Sequence, residues 1–252
     1  MYLGMDSIVQ NRGDQTLEDA GDIGGNRNSS FGVDEPSAVR RMLSWIDSLS
    51  EGEKFFLTYL PIAGHHPYAT PDGGPFSETD EVGRYRNALH CGDAALGTFL
   101  NGLRERGLFQ NTLFAIMGDH GEAFGQHEGN YGHTLSIYEE NIRVPFIIAA
   151  PGLFAGQTML NRTVSLIDTA PTILSLVGLP IPDNYQGRSL LSGEDGMALF
   201  FTDYSLGWLG LRDGRWKYVY ELEAGRSMLF DLDEDPEEQV NAAAQHQEQV
   251  RV

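Results

Sequence analysis

Histidines and acidic residues that could do chemistry are concentrated in two loops of the chain. Five of the seven histidines lie there: His65 and His66 in the first loop, and His120, His127 and His133 in the second. The second loop opens with Gly118-Asp119-His120-Gly121-Glu122. An adjacent Asp–His pair offers one hard oxygen and one imidazole nitrogen, which suits a divalent cation, and clustered imidazoles can stabilise an anionic transition state. Read alone, Asp-His-Gly is more typical of a plain turn, so the prediction of a functional site depends on the clustering.

Each of these loops follows an apolar run that predicts a buried strand. Lys54–Leu60 and Thr112–Met117 are short and nearly continuous in apolar residues, as expected for strands covered on both faces. A third run of this kind is Val144–Ala150. Ligands of open α/β sheets bind beyond the carboxyl ends of the strands, so both loops lie where a site is expected.

Helical spacing of apolar residues alternates with these runs. Four helices are predicted: one begins at Asp34 or Ser37 and ends at Leu49, and the others cover 81–106, 136–141 and 168–178. Alternation of strands and helices indicates an α/β domain with a largely parallel sheet.

The pattern changes from about residue 198. Leu199–Thr202, Trp216–Tyr220 and Met228–Leu232 predict short strands joined by Gly-containing turns, and a polar helix is predicted to begin near Pro236. We therefore predict an irregular N-terminal segment (1–33), an α/β domain (34–195) and a small α+β subdomain (196–252).

Composition excludes several classes of partner. The formal charge of −19 argues against nucleic acid or anionic lipid. Neither a stretch of about 20 apolar residues nor a signal-peptide pattern occurs, so no membrane contact is expected from this segment, and the location of the parent protein stays open. The single cysteine, Cys91, permits no intramolecular disulfide and is expected to be a partly buried thiol on a helix.

The order of several motifs resembles the sulfatase family of the alkaline-phosphatase superfamily. These motifs are Phe55–Leu60 followed by His65-His66-Pro67-Tyr68, Thr112–Glu122, Tyr138–Pro145, Ile167–Leu174 with Gly187-Arg188-Ser189-Leu190, and Leu229–Leu232 with Asp235–Glu238 and Asn241. They occur in family order from about residue 35 to 241, which is more specific than any one of them. The resemblance implies an alkaline-phosphatase-like fold, in which helices flank a mainly parallel sheet and a small antiparallel β subdomain ends the chain.

The resemblance also implies roles for the clustered residues. Asp119 and His120 match the C-terminal pair of metal ligands, and His65 matches the histidine that contacts the sulfate or phosphate group. His133 lies where relatives place a lysine or histidine against the same oxyanion, while His66 and His127 are further substrate-binding candidates. The implied cofactor is one divalent cation, with Ca²⁺ as first choice and Mn²⁺, Mg²⁺ or Zn²⁺ as alternatives. The implied partner is a small anionic sulfate or phosphate ester.

Four further residues of the motifs are expected to be structural. We predict an ion pair for Arg143, and capping or turn roles for Asp168, Asp231 and Asp235.

Two elements of the sulfatase pattern are not found in the 252 residues. One is the nucleophile, a Cys or Ser in a Cys/Ser-x-Pro-x-Arg element that matures to formylglycine, or a Thr or Ser. The other is an aspartate pair on the first strand, since Asp6, Asp14, Asp19 and Asp22 lie on no apolar run. We therefore expect a fragment of a metal-dependent sulfuric-ester hydrolase that is inactive alone.

Two alternatives stay open. One is a phosphoryl or phosphoglycerol transferase, or a phosphodiesterase, of the same superfamily. The other is a non-catalytic remnant or binding module built on the α/β scaffold.

Overall fold

The structure is a computed structural model that describes residues 16–25, 32–70 and 73–250. The chain forms two compact units, Met1–Thr112 and Leu113–Val252, and each is described by itself. Residues 1–15 and 26–31 of the predicted irregular segment lie outside the described residues. The predicted boundaries at 33/34 and 195/196 stay predictions.

Helices dominate the described part of the first unit. They are α1 (Ala20–Ile23), α2 (Glu35–Asp47) and α3 (Glu81–Glu105), with a 3₁₀ turn at Phe109–Asn111. The Asp34 carboxylate accepts the Ser37 N–H at 3.0 Å at the start of α2, and Asp80 caps α3 in the same way. The two long helices are thus confirmed, and α1 is a single turn within a segment predicted to be irregular.

The predicted strand Lys54–Leu60 is wrong, because the structure has no β-strand there and only one face of the segment is covered. Phe55, Leu57 and Tyr59 are half-buried, whereas Phe56 and Leu60 are 79% and 70% exposed. Phe55 packs edge-on against Trp45 of α2 with ring centroids 5.9 Å apart. The segment pairs with no strand among the described residues. A continuous apolar run does not show which of its side chains finds a partner surface.

The second unit begins with two short antiparallel pairs. β1 (Phe114–Met117) pairs with β4 (Phe146–Ala149), and β2 (Ala123–Phe124) pairs with β3 (Tyr131–Gly132). The short helix α4 (Glu139–Ile142) lies between β3 and β4 in sequence. All ladders among the described residues are antiparallel, so the predicted parallel sheet is not confirmed. The alternation of side chains along a strand does not encode the direction of its partner, so the antiparallel pairing of β1 with β4 could not be read from the sequence.

The rest of the unit contains α5 (Thr169–Leu176) and an antiparallel sheet of four strands. The strands are β5 (Met197–Thr202), β6 (Trp208–Asp213), β7 (Trp216–Glu221) and β8 (Arg226–Asp231), in that spatial order. The small C-terminal antiparallel sheet is thus confirmed, but β6 was not predicted. One face of the sheet packs on the loop before α4 in a core of six buried residues: Ile137, Trp208, Val219, Met228, Phe230 and Leu232.

The predicted helix near Pro236 is wrong. The described helix at this end is α6 (Gln247–Val250). The Asp235 carboxylate accepts the N–H groups of Gln239 and Val240, and Glu238 has a φ of 55°. A residue in the left-handed region cannot continue an α-helix, so the chain turns here.

Within the described residues, no helix is both long enough and apolar enough to cross a membrane.

Candidate functional site

The loop after β1 is pressed closely against α4. The Gly118 N–H donates to the Pro145 carbonyl at 3.2 Å, and the Gly121 N–H donates to the Asn141 carbonyl at 2.7 Å. A Cβ atom on Gly121 would lie 2.1 Å from the Glu140 carbonyl oxygen. Only glycine therefore allows this approach, which fixes the backbone on both sides of Asp119 and His120.

Asp119 and His120 present a carboxylate oxygen and a ring nitrogen to the same space. Asp119 Oδ2 lies 3.7 Å from His120 Nε2, and the Asp119 side chain is 90% exposed. The His120 Nδ1 lies 2.9 Å from the Gly121 carbonyl oxygen. Because a carbonyl can only accept, Nδ1 carries the hydrogen and Nε2 keeps its lone pair, which is the tautomer that a metal-binding histidine needs.

His133 stands beside this pair and is held by an acid that sequence reasoning did not single out. The rings of His120 and His133 stack with centroids 4.0 Å apart and planes 20° apart. His133 Nδ1 lies 2.8 Å from Oε2 of Glu122, whose side chain is only 11% exposed. Glu122 was visible in the Asp-His-Gly-Glu run, but its pairing with His133 depends on the β2–β3 hairpin, which was not predicted.

His127 is held at both ring nitrogens by protein groups. Nδ1 lies 2.7 Å from Glu140 Oε1, and Nε2 lies 3.3 Å from the Glu238 carbonyl oxygen. Its ring also stacks on Tyr138 with centroids 3.7 Å apart. These contacts favour a role in the framework of the unit over contact with an anionic ligand.

The carboxylate that holds His127 has a perturbed pKa. Burial alone would raise the pKa of Glu140, but hydrogen bonds from His127 and Asn130 outweigh it and bring the pKa below the ordinary value of 4.5. Glu140 is therefore ionised when it accepts these bonds.

His65 and His66 lie in the first unit, in a loop secured by an acid. Glu35 Oε1 accepts the N–H groups of Ile62 and Ala63 at 3.1 and 2.5 Å, which fixes the backbone before the histidines. His65 Nδ1 lies 2.9 Å from the His66 carbonyl oxygen, so its Nε2 keeps the lone pair. That His65 and His66 act on the same ligand as residues of the second unit stays a prediction.

The three aspartates of the later motifs have the predicted structural roles, whereas Arg143 does not. Asp231 accepts from Arg215 and Asp233, while Asp168 accepts the N–H groups of Ser165 and Arg188. These bonds confirm their turn and capping roles, as do those of Asp235 above. The ion pair expected for Arg143 is wrong within the described part of the chain, where its side chain is exposed and forms no salt bridge.

The donor set at Asp119 and His120 fits a divalent cation in part. One carboxylate oxygen and one correctly protonated imidazole can bind the same ion, since their donor atoms lie 3.7 Å apart. Across the described residues, no cluster of three histidine or acidic side chains includes Asp119. An ion held by this pair alone would complete its shell with water.

Two family models match the chain. The model described as "Sulfatase" matches residues 3–179, and the model described as "N-sulphoglucosamine sulphohydrolase, C-terminal" matches residues 128–251. Arylsulfatase K of Bos taurus is 34% identical over 233 residues, which are 81% of this chain and 42% of that protein. The chain thus spans about two fifths of the length of this relative.

Solved structures share the fold. The phosphonate monoester hydrolase of Agrobacterium radiobacter superposes with a TM-score of 0.70 at 19% identity, over 90% of this chain and 60% of that chain. A protein solved in complex with its substrate, D-glucosamine-2-N,6-O-disulfate, gives a TM-score of 0.54 at 24% identity, over 68% of this chain and 39% of that chain. The fold is mixed α/β, as in these neighbours, and the chain belongs to the sulfatase family.

Proposed function

We propose that this chain supplies part of the active site of a metal-dependent sulfuric-ester hydrolase. The observation that carries the proposal is the geometry of Asp119 and His120, whose donor atoms lie 3.7 Å apart with Nδ1 of His120 bonded to the Gly121 carbonyl. The family match supports sulfate over other esters. A mainly parallel sheet is part of the same proposal.

Asp119 and His120 are the groups that would hold the cation. Ca²⁺ is the first choice because Asp119 offers a hard oxygen, and Mn²⁺, Mg²⁺ or Zn²⁺ are alternatives because His120 offers nitrogen. When bound, the cation would polarise the nucleophile and one ester oxygen. The hydrogen bond from His120 Nδ1 keeps the lone pair of Nε2 available for this task.

Imidazoles would contact the ester oxygens. His133 lies against the ring of His120 and is oriented by Glu122, so it can direct a ring nitrogen at an anion near Asp119. His65 would act on the same group, with His66 as a further contact, while His127 is the weakest candidate because both of its nitrogens are bonded.

The substrate class follows from the same comparisons and stays general. One structural neighbour was solved in complex with a disulfated glucosamine. The second family model represents the C-terminal part of N-sulphoglucosamine sulphohydrolase. We propose a small sulfate ester, with a sulfated sugar as the first candidate. Because no Cys/Ser-x-Pro-x-Arg element occurs in the 252 residues, we propose that this chain does not hydrolyse such an ester alone.

The experiment measures thermal unfolding of the 252-residue chain in a Ca²⁺ titration, with and without inorganic sulfate. Two protein ligands predict weak binding, on the order of millimolar. We expect Ca²⁺ to raise the melting temperature, Asp119→Asn to remove that effect, and the exposed control Asp183→Asn to keep it. A Ca²⁺ effect that survives in Asp119→Asn would contradict the cation assignment.

The same protein is assayed with an aryl sulfate and with a phosphodiester in the presence of Ca²⁺. We expect no turnover of either. Metal-dependent turnover of the aryl sulfate that Asp119→Ala abolishes would overturn the inactivity of the chain, and turnover of the phosphodiester alone would favour the transferase or phosphodiesterase alternative.

A further inference from the structure

The segment from the end of β1 to the residue after β3 contains a second set of possible metal ligands, which does not include Asp119. Side chains of His120, Glu122 and His133 each offer one ligand atom, and these atoms lie within 4.8 Å of one another. It is the one such group of three among residues 16–25, 32–70 and 73–250. We propose that this group binds a borderline divalent cation, Zn²⁺ in the first place, at a site that shares His120 with the Asp119–His120 pair but does not use Asp119.

The β2–β3 hairpin brings two of these ligands together. Ala123 pairs with Gly132 in the antiparallel register, so the next positions outward are Glu122 on one strand and His133 on the other. Side chains at directly opposed positions of an antiparallel pair lie on the same face and within contact distance. The 2.8 Å distance between Glu122 Oε2 and His133 Nδ1 agrees with this register.

The third ligand is His120, which lies in the loop between β1 and β2. His120 stacks on His133, and its Nδ1 is bonded to the Gly121 carbonyl, so Nε2 is the nitrogen available to an ion. Gly121 is in turn fixed by its N–H bond to Asn141. The three side chains are thus held close together before an ion arrives, and binding requires the two stacked imidazoles to rotate, because an ion lies in the plane of each ring that binds it.

The chemistry of the donors selects the ion. Two imidazoles and one carboxylate are the donor set of many catalytic zinc sites, in which water takes the fourth position of a tetrahedron. Ca²⁺ prefers six or more oxygen ligands, so a site with two nitrogens disfavours it. The 2.8 Å between Glu122 Oε2 and His133 Nδ1 is a hydrogen-bond distance, shorter than the about 3.3 Å that separates two donor atoms of a tetrahedral zinc ion. Zn²⁺ would therefore displace the shared hydrogen and move the two side chains slightly apart, and the His133 imidazole would then carry its hydrogen on Nε2.

Zn²⁺ binding has a consequence for the proposed hydrolase. An ion in this cluster occupies His120, which would otherwise hold the catalytic cation, and His133, which would otherwise contact the ester. Zinc at this site would therefore exclude both. The binding itself does not depend on the proposed function, whereas this competition does.

The test is a Zn²⁺ titration of the 252-residue chain in competition with a chromophoric chelator, followed by Co²⁺ substitution. We expect one equivalent of Zn²⁺ and the visible absorption bands of tetrahedral Co²⁺. His120→Ala, Glu122→Gln and His133→Ala should each weaken Zn²⁺ binding at least about tenfold, since loss of even an outer-shell partner costs that much.

Two variants serve as matched controls. Glu128→Gln removes an exposed acid between β2 and β3, and His90→Ala removes an exposed histidine elsewhere. Both should bind Zn²⁺ like the unsubstituted chain. Asp119→Asn is the discriminating variant, since it tests whether the ion lies on the Asp119–His120 pair instead. Far-UV circular dichroism in EDTA checks that each variant folds, and His133→Asn replaces His133→Ala if the latter does not.

Two results would overturn the proposal. The first is Zn²⁺ affinity that is the same in the unsubstituted chain, Glu122→Gln and His133→Ala. The second is loss of Zn²⁺ binding in Asp119→Asn, which would place the ion on the Asp119–His120 pair. Because the calcium experiment depends on Asp119 and this one does not, failure of either proposal can be distinguished from failure of the other.

Discussion

Each histidine of the loop after β1 is held through at least one ring nitrogen, and the identity of the partner determines what the ring can still do. A backbone carbonyl holds His120, which leaves Nε2 available as an acceptor. A carboxylate holds His133 in the same way. His127 is bonded on both sides and stacked, so little of its chemistry is left for a ligand. Residue type alone does not separate these three cases.

The Glu140 carboxylate predicts how stability responds to acid. Its pKa lies below the ordinary 4.5 in the folded chain, because hydrogen bonds from His127 and Asn130 outweigh the effect of burial. A lowered folded pKa contributes stability above the unfolded value, and that contribution is lost as pH falls through the folded value. We expect the free energy of unfolding in urea to fall as pH drops below about 4.5, and Glu140→Gln to make that fall shallower.

Glu238 provides the matched comparison, because its pKa shifts the other way. Burial raises it, and attraction to Lys217 compensates only in part. A raised folded pKa contributes stability that is present below the unfolded value and lost as pH rises through the folded value. Glu238→Gln should therefore make the loss of stability in acid steeper. Equal slopes in both variants would contradict the opposite shifts.

At the scale of elements, Gly121 decides how closely the loop after β1 approaches α4. A Cβ atom there would overlap the Glu140 carbonyl oxygen at 2.1 Å, and backbone cannot move aside as a flexible side chain can. We expect Gly121→Ala to lower the free energy of unfolding by about 1–3 kcal/mol, the usual cost of overpacking. The same variant should weaken Zn²⁺ binding, because the overlap displaces His120.

The control for this prediction is Gly156→Ala in the same unit. A Cβ atom on Gly156 meets nothing within 4 Å, and its backbone is not in the left-handed region. Gly156→Ala should change the free energy of unfolding little in either direction. Equal losses in the two variants, measured by urea unfolding, would show that the contact with α4 has no special cost.

The helices α2, α3 and α5 were predicted well because their signals are local, whereas the helix predicted near Pro236 was wrong. Asp34 and Asp80 stand where capping requires them, and Gly107 and Gly178 follow α3 and α5 with positive φ. Strand pairing depends on partners distant in sequence. Leu209 and Leu211 of β6 alternate only weakly with polar residues, so this strand was missed, and nothing in β1 or β4 indicates that they run antiparallel.

The sequence predicts which residue types form the candidate site, but it does not predict which side chains contact one another. Asp119 and His120 could be identified from the sequence because they are consecutive residues. The pairing of Glu122 with His133 needed the hairpin register, and the double bonding of His127 needed Glu238, which lies 111 positions away.

At the scale of the whole molecule, the proposed function requires an acidic chain to attract an anion locally. A formal charge of −19 repels a sulfate ester over most of the surface. A bound cation beside Asp119 and the neighbouring imidazoles would reverse the sign of the field at one loop. The distribution of the few positive groups is therefore as informative as their number.

The ammonium group of Lys217 is buried inside the second unit and is not available to an external anion. Lys217 of β7 is fully buried, with Nζ 2.6 Å from Glu238 Oε1 and 3.2 Å from Glu139 Oε1. The Glu238 carboxylate also accepts the N–H of Glu139 at 2.6 Å. This buried cluster joins the C-terminal sheet, the turn after Pro236 and the first residue of α4.

Removal of the lysine charge should therefore be costly. Lys217→Met keeps the volume of the side chain but leaves the buried Glu238 carboxylate without its cation, beside Glu139, which keeps its ion pair with Arg212. Breaking a buried pair from one side costs about 3–5 kcal/mol. We expect a loss of this size in the free energy of unfolding, measured in urea. The additional change Glu238→Gln should restore part of it, because it removes the unpaired charge. Arg84→Met, which breaks the exposed pair with Glu81 on α3, should cost less than about 1 kcal/mol. Equal losses of stability in Lys217→Met and Arg84→Met would contradict a stabilising role of the buried cluster. So would a double variant, Lys217→Met with Glu238→Gln, that is no more stable than Lys217→Met.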